Sequence, residues 1–253
     1  MTETAALPAE FTYRDKKLGD AQAITVATAR GVFYPTSTTV LLLRAARRVV
    51  AQRPPRSVLD LGCGCGIVAV VLAKVLPASV RVCASDLSAT AVELARHNAD
   101  RNGVRVDCRR GSLFEPWAGD RFDLVVDDVA GVAESIARLS GWYPGQVPSE
   151  AGRDGTRWIL EVLDRAPEFI APGGRLVFPV LTLSRESAVL ERARARFPVL
   201  EQVEEQWYPL GHELVAHFGE IEALVAEGAV RIEKRGRRWC WATRIFVAYR
   251  EGP

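Results

Sequence analysis

An α/β fold built on a mostly parallel sheet is the architecture this sequence predicts, and three observations predict it. Short β-branched runs alternate with alanine-rich amphipathic stretches through most of the chain, the pattern of strands joined by crossover helices. One strand run, V-L-D-L at 58–61, breaks into G-C-G-C-G at 62–66 and continues at once into a helix. Two long aromatic runs, Val199 to Tyr208 and Trp239 to Tyr249, lack an ordinary crossover helix between them and read as a closing antiparallel pair. The 253 residues, 48% hydrophobic and 25% charged, fit one globular domain with attachments and exclude disorder, collagen-like repeats and coiled coil.

Taken in order, Ala23–Val26 and Gly31–Tyr34 have the alternation of a small hairpin, and Ser37–Ala51 is an apolar helix closed by Pro54 and Pro55. Strands are expected at Ser57–Leu61, Val80–Ser85, Arg105–Arg109, Phe122–Asp127 and Arg175–Pro179. Helices are expected at Ile67–Val75, Ala89–Asn102, Thr156–Phe169 and Glu186–Arg196. Between the closing strands, Leu210, Leu214, Phe218, Ile221, Leu224 and Val225 recur at helical spacing, which predicts an inserted helix on the sheet edge. The chain therefore divides into an N-terminal lid, hairpin and helix, 1–56, and a core, 57–253, carrying an insert at 209–229.

Charge and composition narrow the partners. With 33 basic and 31 acidic residues the net charge is +2, so no overall field holds nucleic acid or an anionic membrane surface. No apolar run approaches the roughly 18 residues of a membrane span, and the acidic start M-T-E-T-A-A-L-P-A-E lacks a signal peptide's basic and apolar regions, so a cytoplasmic protein is expected. The five cysteines are odd in number and mostly sit in strand-like runs; Cys63 and Cys65 have no second Cys or His pair, and no metal site is expected. His97 reads as a surface residue, while His212 and His217 are five apart and share no helix face, leaving His212 as a lid-lining residue at most. The run R-I-E-K-R-G-R-R-W at 231–239 is the densest basic cluster; Gly236 favours a solvated hairpin tip over a nucleic-acid contact, with Trp239 as a stacking surface in the second case.

The chemistry concentrates at two places. Gly62, Gly64 and Gly66 permit positive φ and close backbone approach, and the helix start behind them presents unpaired N–H groups, so a polar ligand docks there. The spacing G-x-G-x-G departs from the dinucleotide fingerprint G-x-G-x-x-G, and Asp60 stands where nicotinamide-binding strands are apolar. Asp86 ends the next strand run, V-R-V-C-A-S-D-L, where a carboxylate accepts from both hydroxyls of a ribose; the alternative is a helix-capping aspartate. A ligand with an adenosine and a charged tail fits both places.

With these residues the sequence resembles the class I S-adenosylmethionine-dependent methyltransferases, from about Gly31 to the end. Within them it is most similar to the release-factor glutamine methyltransferases. G-V-F-Y-P-T-S-T-T-V-L-L-L at 31–43 matches that group's P-R-P-E-T segment at Pro35 and Thr39. R-G-S-L-F-E-P (110–116), R-F-D-L-V-V-D-D (121–128), R-D-G-T (153–156) and A-P-G-G-R-L-V-F (171–178) extend the likeness. The resemblance implies a seven-stranded, mostly parallel sheet with an antiparallel last strand, and S-adenosylmethionine as the cofactor. It further implies that Asp60 and the 62–66 turn, Cys63 included, hold the methionine end, Asp86 with Leu87 the ribose, and Ser112 with Leu113 the adenine edge. Pro35, Thr39, Asp127 and Asp128 complete the implied cofactor site. Ser112 replaces the group's usual aspartate.

Two departures bear on the acceptor. Where the group carries N-P-P-Y, this chain reads D-V-A-G at 128–131. A carboxylate at Asp128 pairs with an ammonium and takes its proton, whereas it has no hydrogen to give an amide carbonyl, so an amine is favoured over a glutamine amide. The alternative is that Asp127 or Asp128 merely caps the strand end and binds cofactor. The group's N-terminal helical substrate domain is also replaced by a short segment, which points away from a large protein partner and towards a small-molecule amine or amino acid. The stretch 141–152 and the first 20 residues would then close over it, with Tyr13, Tyr34, Trp142 and Tyr143 as walls that also attract the sulfonium of the cofactor, or as packing anchors. The expected reaction is methyl transfer to that amine by in-line attack, with Asp128, Tyr34, Trp142 and Tyr143 as the catalytic set, in small-molecule biosynthesis. Two other reactions fit the same residues: cyclisation of the cofactor by its own α-amine, giving azetidine-2-carboxylate and methylthioadenosine, and methylation of a protein or nucleic acid docked on 231–239.

Overall fold

The structure is a computed structural model that describes residues 9–15, 23–143, 147 and 150–250. It opens with two short strands, β1 (Glu10–Tyr13) and β2 (Ile24–Ala27), followed by helix α1 (Ser37–Gln52). The core follows as β3 (Ser57–Leu61), α2 (Ile67–Val75), β4 (Arg81–Asp86), α3 (Ala89–Arg101), β5 (Asp107–Arg110) and β6 (Phe122–Asp127). Then come α4 (Glu134–Leu139), α5 (Arg157–Phe169), β7 (Ile170–Leu181), α6 (Glu186–Arg196) and β8 (Val199–Pro209). Helices α7 (His212–Ala216) and α8 (Phe218–Ala226) and strands β9 (Glu233–Arg235) and β10 (Arg238–Tyr249) complete the chain.

The large sheet runs β5-β4-β3-β6-β7-β10-β8, with the short β9 paired to β10. Strands β5 to β7 are parallel, and β10 is antiparallel to both β7 and β8, as the aromatic runs predict. The chain winds outward from β3 through β4 to β5, then returns to β6 on the other side of β3. The crevice beyond the carboxyl ends of β3 and β6 is thus a topological switch point, where open α/β sheets bind ligands. Successive strand residues face opposite sides, and the core splits accordingly. Val58 packs with α1, α2 and α3 in one apolar layer, while Leu59 packs with Trp117, Phe122, Val162 and Phe178 in the other. The first layer joins α1 to the later core, so residues before and after Ser57 share one interior. A third cluster joins Ile136 of α4, Leu214 of α7, Ile221 of α8 and Trp241 of β10 at the sheet's upper rim.

Three expectations are corrected. β2 pairs with β1, not with Gly31–Tyr34, in the register Glu10↔Ala27 to Tyr13↔Ile24. Gly31 sits in a left-handed turn at φ +78° and Pro35 lacks an N–H, so that stretch makes no ladder. The single inserted helix is two, α7 and α8, broken at His217, whose φ −112° and ψ 33° leave the helical region just before Gly219. β7 begins at Ile170 rather than Arg175, because a register irregularity between Phe122 and Leu124 of β6 absorbs the Pro172-Gly173-Gly174 turn signal. Among the described residues no helix is long and apolar enough to cross a membrane.

Candidate active site

The glycine turn is fixed by its surroundings. Gly62 and Cys63 donate their N–H groups to the Ser85 carbonyl, both at 3.0 Å, which ties the turn to β4. Gly62 and Gly66 have φ of +69° and +80°. A methyl group on Gly62 would stand 3.0 Å from Val129 Cγ1, and one on Gly66 would stand 2.8 Å from the Ala95 methyl. Strain and space both demand glycine there. Asp60 lies beneath the turn with no exposure; its Oδ2 accepts from the Ala69 N–H at 3.0 Å, and Oδ1 has no partner. Burial, reinforced by the nearby Asp128 charge, holds its carboxyl well above the usual range.

Asp86 accepts from the Gly64 N–H at 2.9 Å and the Ser88 N–H at 2.8 Å. It does not cap α3, since Ser88 does so by accepting from Ala91 N–H at 3.3 Å. Burial raises the Asp86 pKa and the two N–H groups oppose it. A carboxylate offers about four acceptor sites, so two remain for a ligand. Across the crevice Leu113 has φ +48°, the one positive φ of a non-glycine among the described residues, and its carbonyl accepts from Ser85 Oγ at 3.1 Å. Backbone strain is retained at this wall.

Asp127 and Asp128 end β6. Asp127 is buried, and its Oδ1 accepts the Val129 N–H at 3.4 Å; burial and the Asp128 charge push it up to about 8. Asp128 Oδ2 accepts from Thr39 Oγ1 at 3.0 Å, and burial, opposed by that bond, pushes it up to about 7. Thr39 is itself locked into the start of α1, where its Oγ1 accepts the Thr36 N–H at 3.3 Å. The P-T-S-T-T stretch thus orients Asp128 from behind.

One cavity joins these groups. Of the residues expected in the site, Gly62, Gly64, Asp86, Leu87, Ser112, Leu113, Asp128, Trp142 and Tyr143 line it. Asp60, Cys63, Gly66, Asp127, Pro35 and Thr39 lie behind the wall. Tyr34 stands apart: it packs edge-on against Phe11 at 5.8 Å and its hydroxyl donates to the Glu10 carbonyl at 3.5 Å. Tyr13 is buried in the hairpin and donates to Asp15 at 3.2 Å, and the hairpin is bound to α3 by Asn98. The described part of the first 20 residues therefore packs on the core instead of covering the cavity. Of the 141–152 stretch, Trp142, Tyr143 and Val147 line the cavity, while 144–146 and 148–149 lie outside the described residues. His212 is exposed and outside the wall. The 231–239 run turns at Gly236 as a hairpin, with Arg235 stacked on Trp207 at 3.8 Å.

Sequence reasoning missed Phe33, Trp158 and Trp241, which also line the cavity. Trp142 meets Trp241 at 5.2 Å between ring centroids, and Tyr143 meets Phe33 at 5.2 Å. The W-C-W-A run at 239–242 signals a strand, yet both of its faces are apolar, so alternation alone does not say which one meets the cavity.

The strand order, the glycine turn after β3, an acid ending β4 and an acid pair ending β6 define a class I methyltransferase fold. Residues 23–128 match the family model "Methyltransferase small domain". The chain is similar to the release factor glutamine methyltransferase of Geobacter sulfurreducens, 34% identical over 157 residues, covering 58% of this chain and 55% of that one. It is also similar to the ribosomal protein uL3 glutamine methyltransferase of Bradyrhizobium diazoefficiens, 32% identical over 148 residues, covering 56% and 45%. The chain spans about half the length of the curated relatives it matches. Its fold is that of a T. thermophilus 16S rRNA methyltransferase solved with AdoMet and guanosine, at TM-score 0.60 and 16% identity, over 99% of this chain and 53% of that one. These relatives overturn the expected partner. They are named for release factors and ribosomal proteins, so a small-molecule amine, and with it small-molecule biosynthesis, is withdrawn.

Proposed function

We propose that this chain is an S-adenosylmethionine-dependent methyltransferase that modifies an amino group of a protein. The observation that carries the reading is the meeting, in one cavity, of the Gly62–Gly64 turn, Asp86, Ser112–Leu113 and Asp128. The cavity measures about 200 Å³, and in this reading a protein enters it with one extended side chain or a chain end. Five buried cysteines fit a reducing cytoplasm, the compartment we assign.

The residues present fit the cofactor. The Gly62–Gly64 backbone leaves room for the methionine end, Asp86 has acceptor capacity for ribose hydroxyls, and Ser112 with Leu113 would border the adenine. When bound, S-adenosylmethionine supplies a methyl group on a sulfonium, already a good leaving group. The protein's own work is positioning and proton removal. Asp128, fixed by Thr39, pairs with the acceptor ammonium and takes one proton, freeing the nitrogen lone pair. Its raised pKa makes it a better proton acceptor at neutral pH than an ordinary aspartate. Asp60, Asp127 and Asp128 crowd one region with no described Lys, Arg or His on the cavity wall, so a cationic ligand is stabilised there.

The test supplies the protein with methyl-labelled S-adenosylmethionine and purified bacterial release factor and ribosomal proteins. Label in protein, on a lysine or an N-terminal amine, is expected. Label on glutamine would overturn the amine assignment, and methylthioadenosine without labelled protein would overturn methyl transfer.

A further inference from the structure

Two carboxylates, Asp86 and Asp128, line the cavity, and no described Lys, Arg or His does. Part of the same cavity is walled by rings. Trp142 and Trp241 touch with their planes tilted by 53°, Tyr208 backs Trp241 at 4.9 Å, and Tyr143 leans on Phe33. Tyr143 and Asp128 line the cavity together, and burial, reinforced by the Asp128 charge, raises the Tyr143 pKa. Thr39 supplies the described side-chain donor on Asp128 and carries no charge. An unneutralised carboxylate beside aromatic faces selects a cation, and it favours a weakly hydrated one, because methyl groups lower the cost of leaving water and widen contact with the rings.

We propose that the acceptor end of the cavity, formed by Trp142, Tyr143 and Trp241 around Asp128, is a methylammonium subsite that retains the amine as methyl groups accumulate. This rests on the methyltransferase reading and adds its consequence: the finished product carries more than one methyl on the same nitrogen. The steps balance. In each one an N–H proton passes to Asp128 and on to solvent, the nitrogen lone pair forms the N–C bond, and the C–S bonding pair returns to sulfur as the neutral thioether. The product regains a proton-independent or protonated positive charge at nitrogen, so its attraction to the rings persists. What it loses is an N–H donor to Asp128, and what it gains is a methyl against Trp142 or Trp241.

The experiment uses the full chain saturated with S-adenosylhomocysteine, which fills the cofactor end without adding a sulfonium. Choline, 3,3-dimethylbutanol and ethanolamine are titrated against tryptophan fluorescence. Choline and 3,3-dimethylbutanol share a shape and differ in charge; ethanolamine has the charge without the methyl groups. Choline is expected to bind about tenfold more tightly than either of the others. The preference falls to about unity in Trp142→Leu, and Trp142→Phe, which keeps a ring, restores part of it. Equal binding of choline and its neutral counterpart, or no binding of choline, would overturn the subsite, and ethanolamine matching choline would overturn the accumulation of methyl groups. Repeating the choline titration without S-adenosylhomocysteine separates a failure of cofactor binding, which bears on the broader reading, from a failure of the subsite.

Discussion

At the residue scale the proposed reaction assigns proton removal to Asp128. Its carboxyl is pushed up to about 7, so it is protonated and unable to accept below that pH and becomes competent above it. The rate is expected to rise with pH through about 7, and Asp128→Asn to lower kcat by about 10² to 10³ and abolish that rise, as a pH profile of labelled methyl transfer would show. Thr39→Val removes the bond that opposes the shift, so the rising limb moves to higher pH. The sequence exposed Asp128 because it replaces an asparagine at a strand end; it did not expose Thr39 as the group that orients it, since the two are 89 positions apart and only the fold joins them. Gly66 makes a different point. Its left-handed φ and the Ala95 methyl at 2.8 Å leave no room for a side chain, and Gly66→Ala is expected to cost about 2–4 kcal/mol in urea unfolding.

Among elements, the N-terminal hairpin is one the sequence misjudged. Alternation in Ala23–Val26 was legible, but its partner strand was not, because pairing depends on where the ladder is anchored and the anchor lies far away in α3. Asn98 accepts from the Ala27 N–H at 2.7 Å and donates to the Ala27 and Cys65 carbonyls at 2.9 and 2.8 Å. It thereby clamps the hairpin and the glycine turn to one helix. Asn98→Ala leaves three backbone groups unpaired, and a loss of about 2–4 kcal/mol is expected. Faster amide exchange in β2 and weaker S-adenosylhomocysteine binding should accompany it; unchanged exchange would contradict the clamp. The inserted helices follow the same logic. Their apolar spacing announced a helix, while the break at His217 was not legible in it, and both α7 and α8 pack into the rim cluster with Trp241.

For the molecule as a whole, the parallel core was readable because each strand and crossover helix declares its own period, and four of the core and flanking elements have the expected bounds. The rim was not readable, because α4, Trp142 and Trp241 meet only in three dimensions. The expected small-molecule partner was drawn from the short N-terminal segment, and the relatives, named for release factors and ribosomal proteins, overturn it. Electrostatics act on the whole fold too. Asp127 and Asp128 have pKa values raised to about 8 and about 7 from 3.8, so between these values the folded state binds more protons than the unfolded one. Stability must then fall as pH rises from about 4 to about 8 and level off beyond. Thermal unfolding of the ligand-free protein across that range should show the decline, and Asp127→Asn should flatten it.

The most direct test is calorimetric titration of the chain with S-adenosylhomocysteine. The cavity geometry predicts one site of micromolar affinity, weakened about tenfold or more in Asp86→Ala as the ribose contacts are lost. A folded protein that gives no binding heat, or an Asp86→Ala variant that binds as well as the parent, would contradict the assignment of the Gly62–Gly66 turn and Asp86 as the cofactor site.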